Sequence, residues 1–296
     1  MSSFNCSREF AAELAKKLEG IGIPAELNSI VKENGIKLEG IVFGTGNVRG
    51  SFYPVEENGL EAEATRAEEA YRLVTRESAD VGSATEALYE WEKSRRLLRP
   101  YVVNLAKNRQ FFESRNLSFE QFLDLAVGLK VELINDERGI MSTKVSKALL
   151  EKWGVSFEEA RKTAFENLRA EGYVIEPLSA VLRCMMGGDM AMLCCGGPVY
   201  PESDERIYVC SNRTRTDGAV LLADTDILEE AGKKLGDFYL LPSSRHEFLI
   251  VPISGEMNAR DLQSMVAAVN GEYVSDEDFL SNSVYIYRDG ELKLVA

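Results

Sequence analysis

The side chains best suited to chemistry lie close together, around the only histidine of the chain, His246. Ser243, Ser244 and Glu247 lie within three residues of it, so a hydroxyl, an imidazole and a carboxylate occur together, as nucleophilic catalysis requires. Residues three apart meet on a helix but not on a strand, and the surrounding apolar run is typical of a turn entering a strand. A structural turn fits equally, with serine hydroxyls bonding backbone amides and His246 bonding Glu247 or a carbonyl.

A sulfur-rich segment between residues 184 and 195 is the second candidate. Its cysteines Cys184, Cys194 and Cys195, with the methionines between them, would suit a soft metal such as copper(I). The spacing matches no zinc pattern, and Met and Cys are also adaptable core fillers. We therefore expect packing in the core or against a second subunit, and we predict neither a metal nor another cofactor.

Two polar segments are candidates for a ligand site. The glycines between residues 44 and 50 lack the Lys-Ser/Thr pair of a phosphate loop, so they indicate a bulge or loop. Arg213 and Arg215 form a small basic spot that would suit an anion. The predicted ligand-binding residues, all between residues 207 and 252, are Asn212, Arg213, Arg215, Pro242 and His246.

The net charge of −14 opposes binding to a phosphate backbone, because nucleic-acid affinity depends on clustered Lys and Arg. The same charge leaves open a role as the acidic partner of a basic or nucleic-acid-binding protein. The first residues show no basic segment followed by an apolar one, and no apolar run reaches the ~20 residues of a membrane span. With an odd number of cysteines, these features predict a cytoplasmic protein without disulfides.

The elements that must position these side chains divide into two predicted segments, 1–100 and 101–296. In the first, Phe10, Leu14 and Leu18 predict a helix that stops at Gly20, and Asn34-Gly35 between alternating runs predicts a hairpin. Residues 56 to 98, rich in Ala, Glu and Arg, predict further helices.

The second segment mixes strand pairs with helices. Strands are predicted from Tyr101, within the apolar run 122–134, at 207–210, 238–241 and 248–251, and in a closing hairpin at Asp289-Gly290. Helices are predicted at 145–153 with Gly154 as C-terminal cap, at 156–170 after Ser156, through Leu235 with Thr225 as N-terminal cap, and from Asn258. In the last helix, Leu262, Met265, Val266 and Val269 share one face. Strand pairing without strict strand-helix alternation favours an α+β fold with mixed, largely antiparallel sheets.

Several short motifs, taken together, resemble a bacterial family of unknown function from Firmicutes, domain of unknown function 5688. They are Trp153-Gly154-Val155, Ser211-Asn212 with Gly218-Ala219, the run from Leu235 to Ser244 with His246-Glu247, and the closing Val284 to Tyr287. The N-terminal hairpin fits too, whereas residues 50–100 and 184–206 depart from the pattern. The resemblance implies that the Pro-Ser-Ser-x-His-Glu turn is a family feature and brings no reaction with it.

These patterns predict a non-enzymatic module that binds a protein or a small ligand, with self-association left open. The rival hypothesis is a hydrolase that uses Ser243 or Ser244, His246, and Asp237 or Glu247 as the acid.

Overall fold

The computed structural model describes residues 6–45, 48–76, 88–136, 139–187, 206–253 and 258–296. The chain divides into two compact units, Met1–Glu90 and Trp91–Ala296, here called unit 1 and unit 2. Every strand pairing in the described ranges is antiparallel, and helices pack beside the sheets, so the predicted α+β class is confirmed. Among the described residues, no helix combines the length and apolar character needed to cross a membrane.

In its described residues, unit 1 combines a three-stranded sheet with two α-helices. Its elements are α1 (Arg8–Gly20), β1 (Ala25–Val31), β2 (Lys37–Thr45), β3 (Val48–Phe52) and α2 (Leu60–Arg76), with β2 in the centre of the sheet. The core joins Leu14 and Leu18 of α1 to Ile41 and Phe43 of β2. The predicted first helix and its end at Gly20 are confirmed.

The Asn34-Gly35 hairpin is confirmed as well. Both residues have positive φ angles, 57° and 74°, which Asn and Gly tolerate better than other residues. β1 and β2 pair from Val31↔Lys37 to Ala25↔Phe43. β2 then pairs with β3 from Ile41↔Phe52 to Thr45↔Val48, so Gly44 and Gly50, predicted in a bulge or loop, lie in paired strands, while residues 46 and 47 lie outside the described ranges.

Unit 2 contains a four-stranded and a six-stranded sheet. The strands of the smaller sheet are β4 (Leu98–Asn104), β5 (Phe119–Phe122), β6 (Leu125–Asp136) and β7 (Gly139–Lys144). β6 pairs with β4, β5 and β7, and its first half is completely buried, as the apolar run predicted. The larger sheet has the order β13-β12-β10-β11-β9-β8. Its strands are β8 (Tyr173–Pro177), β9 (Tyr208–Asn212), β10 (Phe238–Leu241), β11 (Phe248–Pro252), β12 (Tyr285–Arg288) and β13 (Glu291–Leu294).

The helices predicted at 145–153, 156–170, 225–235 and from Asn258 are present close to those bounds, whereas the helices Leu105–Ser114 and Leu178–Gly187 were not predicted. The described helices of unit 2 are α3 (Trp91–Ser94), α4 (Leu105–Ser114), α5 (Lys147–Trp153), α6 (Phe157–Glu171), α7 (Leu178–Gly187), α8 (Thr225–Leu235) and α9 (Ala259–Tyr273). Gly154 takes the left-handed cap conformation, and the Ser156 hydroxyl accepts from the backbone N–H of Glu159, both as predicted.

One detail of the helix predictions is wrong. Asp224, not Thr225, caps α8, because its carboxylate accepts from the backbone N–H of Asp226. On α9, Leu262 and Val266 are buried, but Met265 and Val269 are exposed although they share the same helical side. The neighbouring elements cover only part of the apolar stripe, and sequence periodicity cannot indicate how much of a helix a sheet covers.

The segment that follows the loop of residues 213–217 lies in the core of unit 2. A 3-10 helix, Gly218–Ala223, is completely buried, and it packs with Phe165 and Leu168 of α6 and with Tyr208 and Cys210 of β9. Because interiors are close-packed, this burial holds the preceding loop, residues 213–217, at a defined place beside the sheet.

We expect Gly128→Ala to destabilise unit 2 by about 1–3 kcal/mol, the usual cost of overpacking a core. Gly128 lies opposite Tyr101 in the β4-β6 pair, and an added Cβ would lie 2.5 Å from Cζ of that ring. The ring is buried and cannot move aside freely. Urea unfolding of the full chain followed by fluorescence measures the change.

The matched control is Gly271→Ala within α9, where an added Cβ meets nothing within 4 Å. Here the same substitution should stabilise by roughly 0.5–1 kcal/mol, because Ala restricts the unfolded chain. Equal effects of the two variants would contradict the packing explanation.

Candidate functional site

The imidazole of His246 bonds groups that the sequence did not connect with it. Its Nδ1 accepts from the backbone N–H of Asp217 at 3.3 Å, and its Nε2 lies 3.0 Å from Oδ1 of Asp278. Since Nδ1 is an acceptor, the proton is on Nε2 and is donated to Asp278. The acidic partner of the histidine is therefore Asp278, and not Glu247, which precedes β11, or Asp237, which pairs with Arg288 at 2.6 Å.

The two serines belong to the turn rather than to a proton relay. The Ser244 hydroxyl accepts from the backbone N–H of His246 at 3.1 Å, as the structural interpretation predicted. The carbonyls of Pro242 and Ser243 accept from the backbone N–H groups of Ser281 and Leu280. Because Nδ1 and Nε2 of His246 both bond other groups, neither is open to accept a proton from a serine hydroxyl.

The segment Pro242–Glu247, here called the His246 turn, contacts and stabilises a neighbouring loop, residues 212–218. The Ser211 hydroxyl donates to the His246 carbonyl at 2.7 Å, and the backbone N–H of Ala219 donates to the Arg245 carbonyl at 3.1 Å. Gly218 permits this close approach, since an added Cβ would lie 2.3 Å from the Ser211 hydroxyl and 2.7 Å from the His246 carbonyl. These contacts connect the loop to the turn at both backbone and side-chain level.

The loop is also stabilised from within. The Asn212 side chain donates to the Thr216 carbonyl at 2.7 Å and accepts from the Thr216 backbone N–H at 3.1 Å. Arg215 and Asp217 have positive φ angles of 53° and 57°, a conformation that costs free energy and persists only where surrounding contacts impose it. The loop is therefore held in one shape before any ligand arrives.

Asp217 joins this loop to β6 through a buried group of charges. Its Oδ1 accepts from Nε of Arg245 at 2.6 Å, and its Oδ2 accepts from Nζ of Lys130 at 2.8 Å. Lys130 also lies 2.8 Å from Oε1 of Glu132. The side chains of Lys130 and Asp217 are only 9% and 10% exposed.

These contacts decide the ionisation of both partners. Burial alone would raise the pKa of Asp217, but the positive charges of Arg245 and Lys130 outweigh it and hold that pKa well below its ordinary value. Burial would lower the pKa of Lys130, yet Asp217 and Glu132 hold it above its ordinary value. The pair is therefore ionised at neutral pH.

A cavity of about 310 Å³ opens beside this charge group, entirely within unit 2. Six charged side chains line it, namely Arg99, Lys130, Glu132, Glu171, Arg213 and Asp217. Uncharged residues complete the wall, namely Pro100, Leu168, Asn212, Thr214 and Thr216. The braced loop thus forms one side of the cavity, while β4, β6 and the end of α6 form the others.

Arg99 and Glu171 form a second ion pair in this wall, more open to solvent than the first. Their side chains are 17% and 41% exposed, and Arg99 donates to Glu171 and to the Leu98 carbonyl. Nε of Arg99 is buried and bonds no described group. Since buried polar groups ordinarily have partners, this unpaired N–H costs the fold some stability.

Only some of the predicted ligand-binding residues line the cavity. Asn212 and Arg213 line the cavity, whereas Arg215 pairs with Glu176 and is not part of the lining. Pro242 and His246 lie in the turn that braces the loop and do not line the cavity either.

Sequence reasoning missed the residues that other elements contribute, Arg99, Lys130, Glu132, Glu171 and Asp217. A usable signal was present, since Lys130 stands between Leu129 and Val131 in the buried part of β6, and a lone charge there requires a partner.

The sulfur-rich segment is only partly described. Cys184 lies on α7, while Cys194 and Cys195 lie outside the described residues. Within the described ranges, no group of three or more His, Cys, Asp or Glu side chains is placed to hold a metal ion.

We expect Asp217→Asn to destabilise the protein by about 3–5 kcal/mol at pH 7, since it leaves Lys130 and Arg245 buried beside a neutral group. The folded-state pKa of Asp217 lies below its unfolded value, so the contribution is complete above about pH 4 and is lost as pH falls. Urea unfolding between pH 7 and pH 3 should therefore show the gap between wild type and variant narrowing below about pH 4.

Asp237→Asn is the matched control, because it removes a carboxylate from an exposed pair with Arg288. We expect a loss of at most about 1 kcal/mol. Equal losses for D217N and D237N would refute the special role of Asp217.

We expect His246→Ala to lower stability by about 1–3 kcal/mol, because it leaves the Asp217 N–H without its acceptor. His246→Asn places an oxygen near the position of Nδ1 and should recover part of that loss. Thermal unfolding of the two variants tests this, and equal losses for Ala and Asn would count against a bracing imidazole.

Comparison with known proteins gives one match. A family described as "Family of unknown function (DUF5688)" matches residues 6–289. The match also includes residues 50–100 and 184–206, where the sequence motifs depart from the family pattern. Searches of curated proteins and of solved structures found no match. Since the match covers nearly the whole chain, the protein belongs to the DUF5688 family of unknown function.

Proposed function

We propose that this protein is a non-enzymatic module that binds a small polar ligand in the charged cavity of unit 2. The observation that carries the proposal is the set of six charged side chains around a cavity of about 310 Å³. Sites for small molecules are concave and span about 300–1,000 Å³, with a few precisely placed polar groups. The cavity lies at the lower end of that range.

The rigidity of the wall supports the proposal. Lys130 comes from a central strand, and the loop from Asn212 to Gly218 is held by its own side-chain bonds and by the His246 turn. A site formed before the ligand arrives loses less conformational entropy on binding. Burial of charged groups costs stability, and a binding role explains why the chain tolerates that cost.

The hydrolase hypothesis receives less support from the same contacts. His246 has both ring nitrogens occupied, by the Asp217 N–H and by Asp278, and its ring does not line the cavity. A general base needs a nitrogen within reach of the nucleophile. A role as an acidic partner of a basic protein rests on the net charge alone, whereas the cavity wall carries three cationic and three anionic side chains.

Thr214→Trp tests the proposal. Thr214 is an exposed residue of the loop whose side chain borders the cavity, so an indole there should narrow or fill the space. A metabolite and fragment library is screened against the full chain by ligand-observed nuclear magnetic resonance. We expect wild type to bind at least one compound and T214W to bind it at least about tenfold more weakly.

Thr65→Trp serves as the control, since Thr65 is an exposed threonine of α2 in unit 1. It should bind the same compounds as wild type does. If no compound binds, or if T214W and T65W bind equally well, the cavity is not a ligand site.

A further inference from the structure

We infer that the ligand is a zwitterion of the size of a free amino acid or dipeptide, with one carboxylate and one ammonium group. The inference rests on the proposed function and adds the chemical class of the ligand. It follows from how the charges of the cavity wall are paired.

Cations and anions face one another in the wall. Arg99 pairs with Glu171, and Lys130 pairs with Asp217 and Glu132. Arg213, which is exposed, is the third cation of the wall. A singly charged ligand that bound Arg99 or Glu171 would take that group from its partner and leave the partner unpaired. Breaking a partly buried ion pair in this way is costly. A ligand with both charges offers each wall group a new partner, so no charge is left over.

The two pairs differ in how readily they exchange partners. Asp217 and Lys130 are about nine-tenths buried, and Arg245 holds Asp217 from the other side. Arg99 and Glu171 are more exposed, and solvent weakens their attraction. We therefore infer that Arg99 and Glu171 exchange partners when the ligand binds, while the ion pair of Lys130 and Asp217 stays intact.

Local groups favour one orientation of the ligand. Arg99 lines the cavity, and a guanidinium is well suited to bind a carboxylate. Glu171 is the last residue of α6, and the carbonyl end of a helix attracts cations. The ligand carboxylate thus lies at Arg99 and its ammonium group at Glu171.

The volume restricts the ligand further. About 310 Å³ is small for a ligand site, and Pro100 and Leu168 provide only a small apolar surface. A free amino acid or a dipeptide fits this space, whereas a long peptide would extend out of it.

The experiment compares matched charge forms of the same compounds by isothermal titration calorimetry on the full chain. The probes are the standard amino acids and glycine-containing dipeptides, each also as the anionic N-acetyl derivative, the cationic amide, and the neutral doubly blocked form. We expect at least one zwitterion to bind, and each of its singly blocked forms to bind at least about tenfold more weakly, since one ion pair is lost.

Glu171→Gln tests the contact to the ligand ammonium group separately from the contact to its carboxylate. The side chain is 41% exposed and the change is isosteric, so the fold should persist. E171Q should weaken the zwitterion at least about tenfold and leave the N-acetyl form unchanged or improved. Arg288→Gln, which alters an exposed pair that does not line the cavity, should change neither.

The outcomes distinguish this inference from the proposed function. If a singly charged or neutral form binds as tightly as the zwitterion, or if E171Q weakens all charge forms alike, the zwitterion is wrong while the cavity remains a site. If no probe binds but library compounds bind in a manner that T214W abolishes, the ligand class is again overturned. If library compounds fail as well, the proposed function fails with it.

Discussion

The ionised carboxylate of Asp217 is the group on which the candidate site depends. It bonds Lys130 of β6 and Arg245 of the His246 turn, and its backbone N–H donates to the His246 ring. Three separate stretches of chain meet at this one residue. A buried carboxylate is tolerated only when opposite charges and hydrogen bonds replace the water it has lost, so the loop, the turn and the strand have to come together for any of them to be stable there.

The histidine takes part in a network of hydrogen bonds that joins two separate parts of the chain. Its imidazole connects the Asp217 backbone to Asp278, with one nitrogen accepting and the other donating. That arrangement uses the whole hydrogen-bonding capacity of a neutral ring. The histidine is thus not part of the cavity lining, whereas Arg99, Glu171 and the exposed Arg213 are. The residue type alone therefore did not reveal the role, because the role depends on which bonds the ring has already made.

The loop of residues 212–218 contains strained backbone angles and is held in place by neighbouring residues. Arg215 and Asp217 adopt positive φ angles, and Gly218 has backbone and hydroxyl atoms close to where a Cβ would be. Directly after it comes the buried 3-10 helix Gly218–Ala223. The burial of that helix offsets the cost of the strained loop, since apolar burial contributes more than a single unfavourable backbone angle costs. The loop is therefore held in one conformation by contacts on both of its sides.

The sequence by itself determined many of the local elements, because caps, turns and periodicity act between near neighbours: the hairpin at Asn34-Gly35, the cap at Gly154 and the strand Phe238–Leu241 all agree with prediction. It also pointed to Asn212 and Arg213, which do line the cavity. Only the tertiary structure decided that Arg99, Lys130, Glu171 and Asp217 share one space. Lys130 and Asp217 are 87 positions apart, and no short-range pattern relates them. The partner of a buried charge is set by which strands and loops pack together, and that packing is a property of the whole chain.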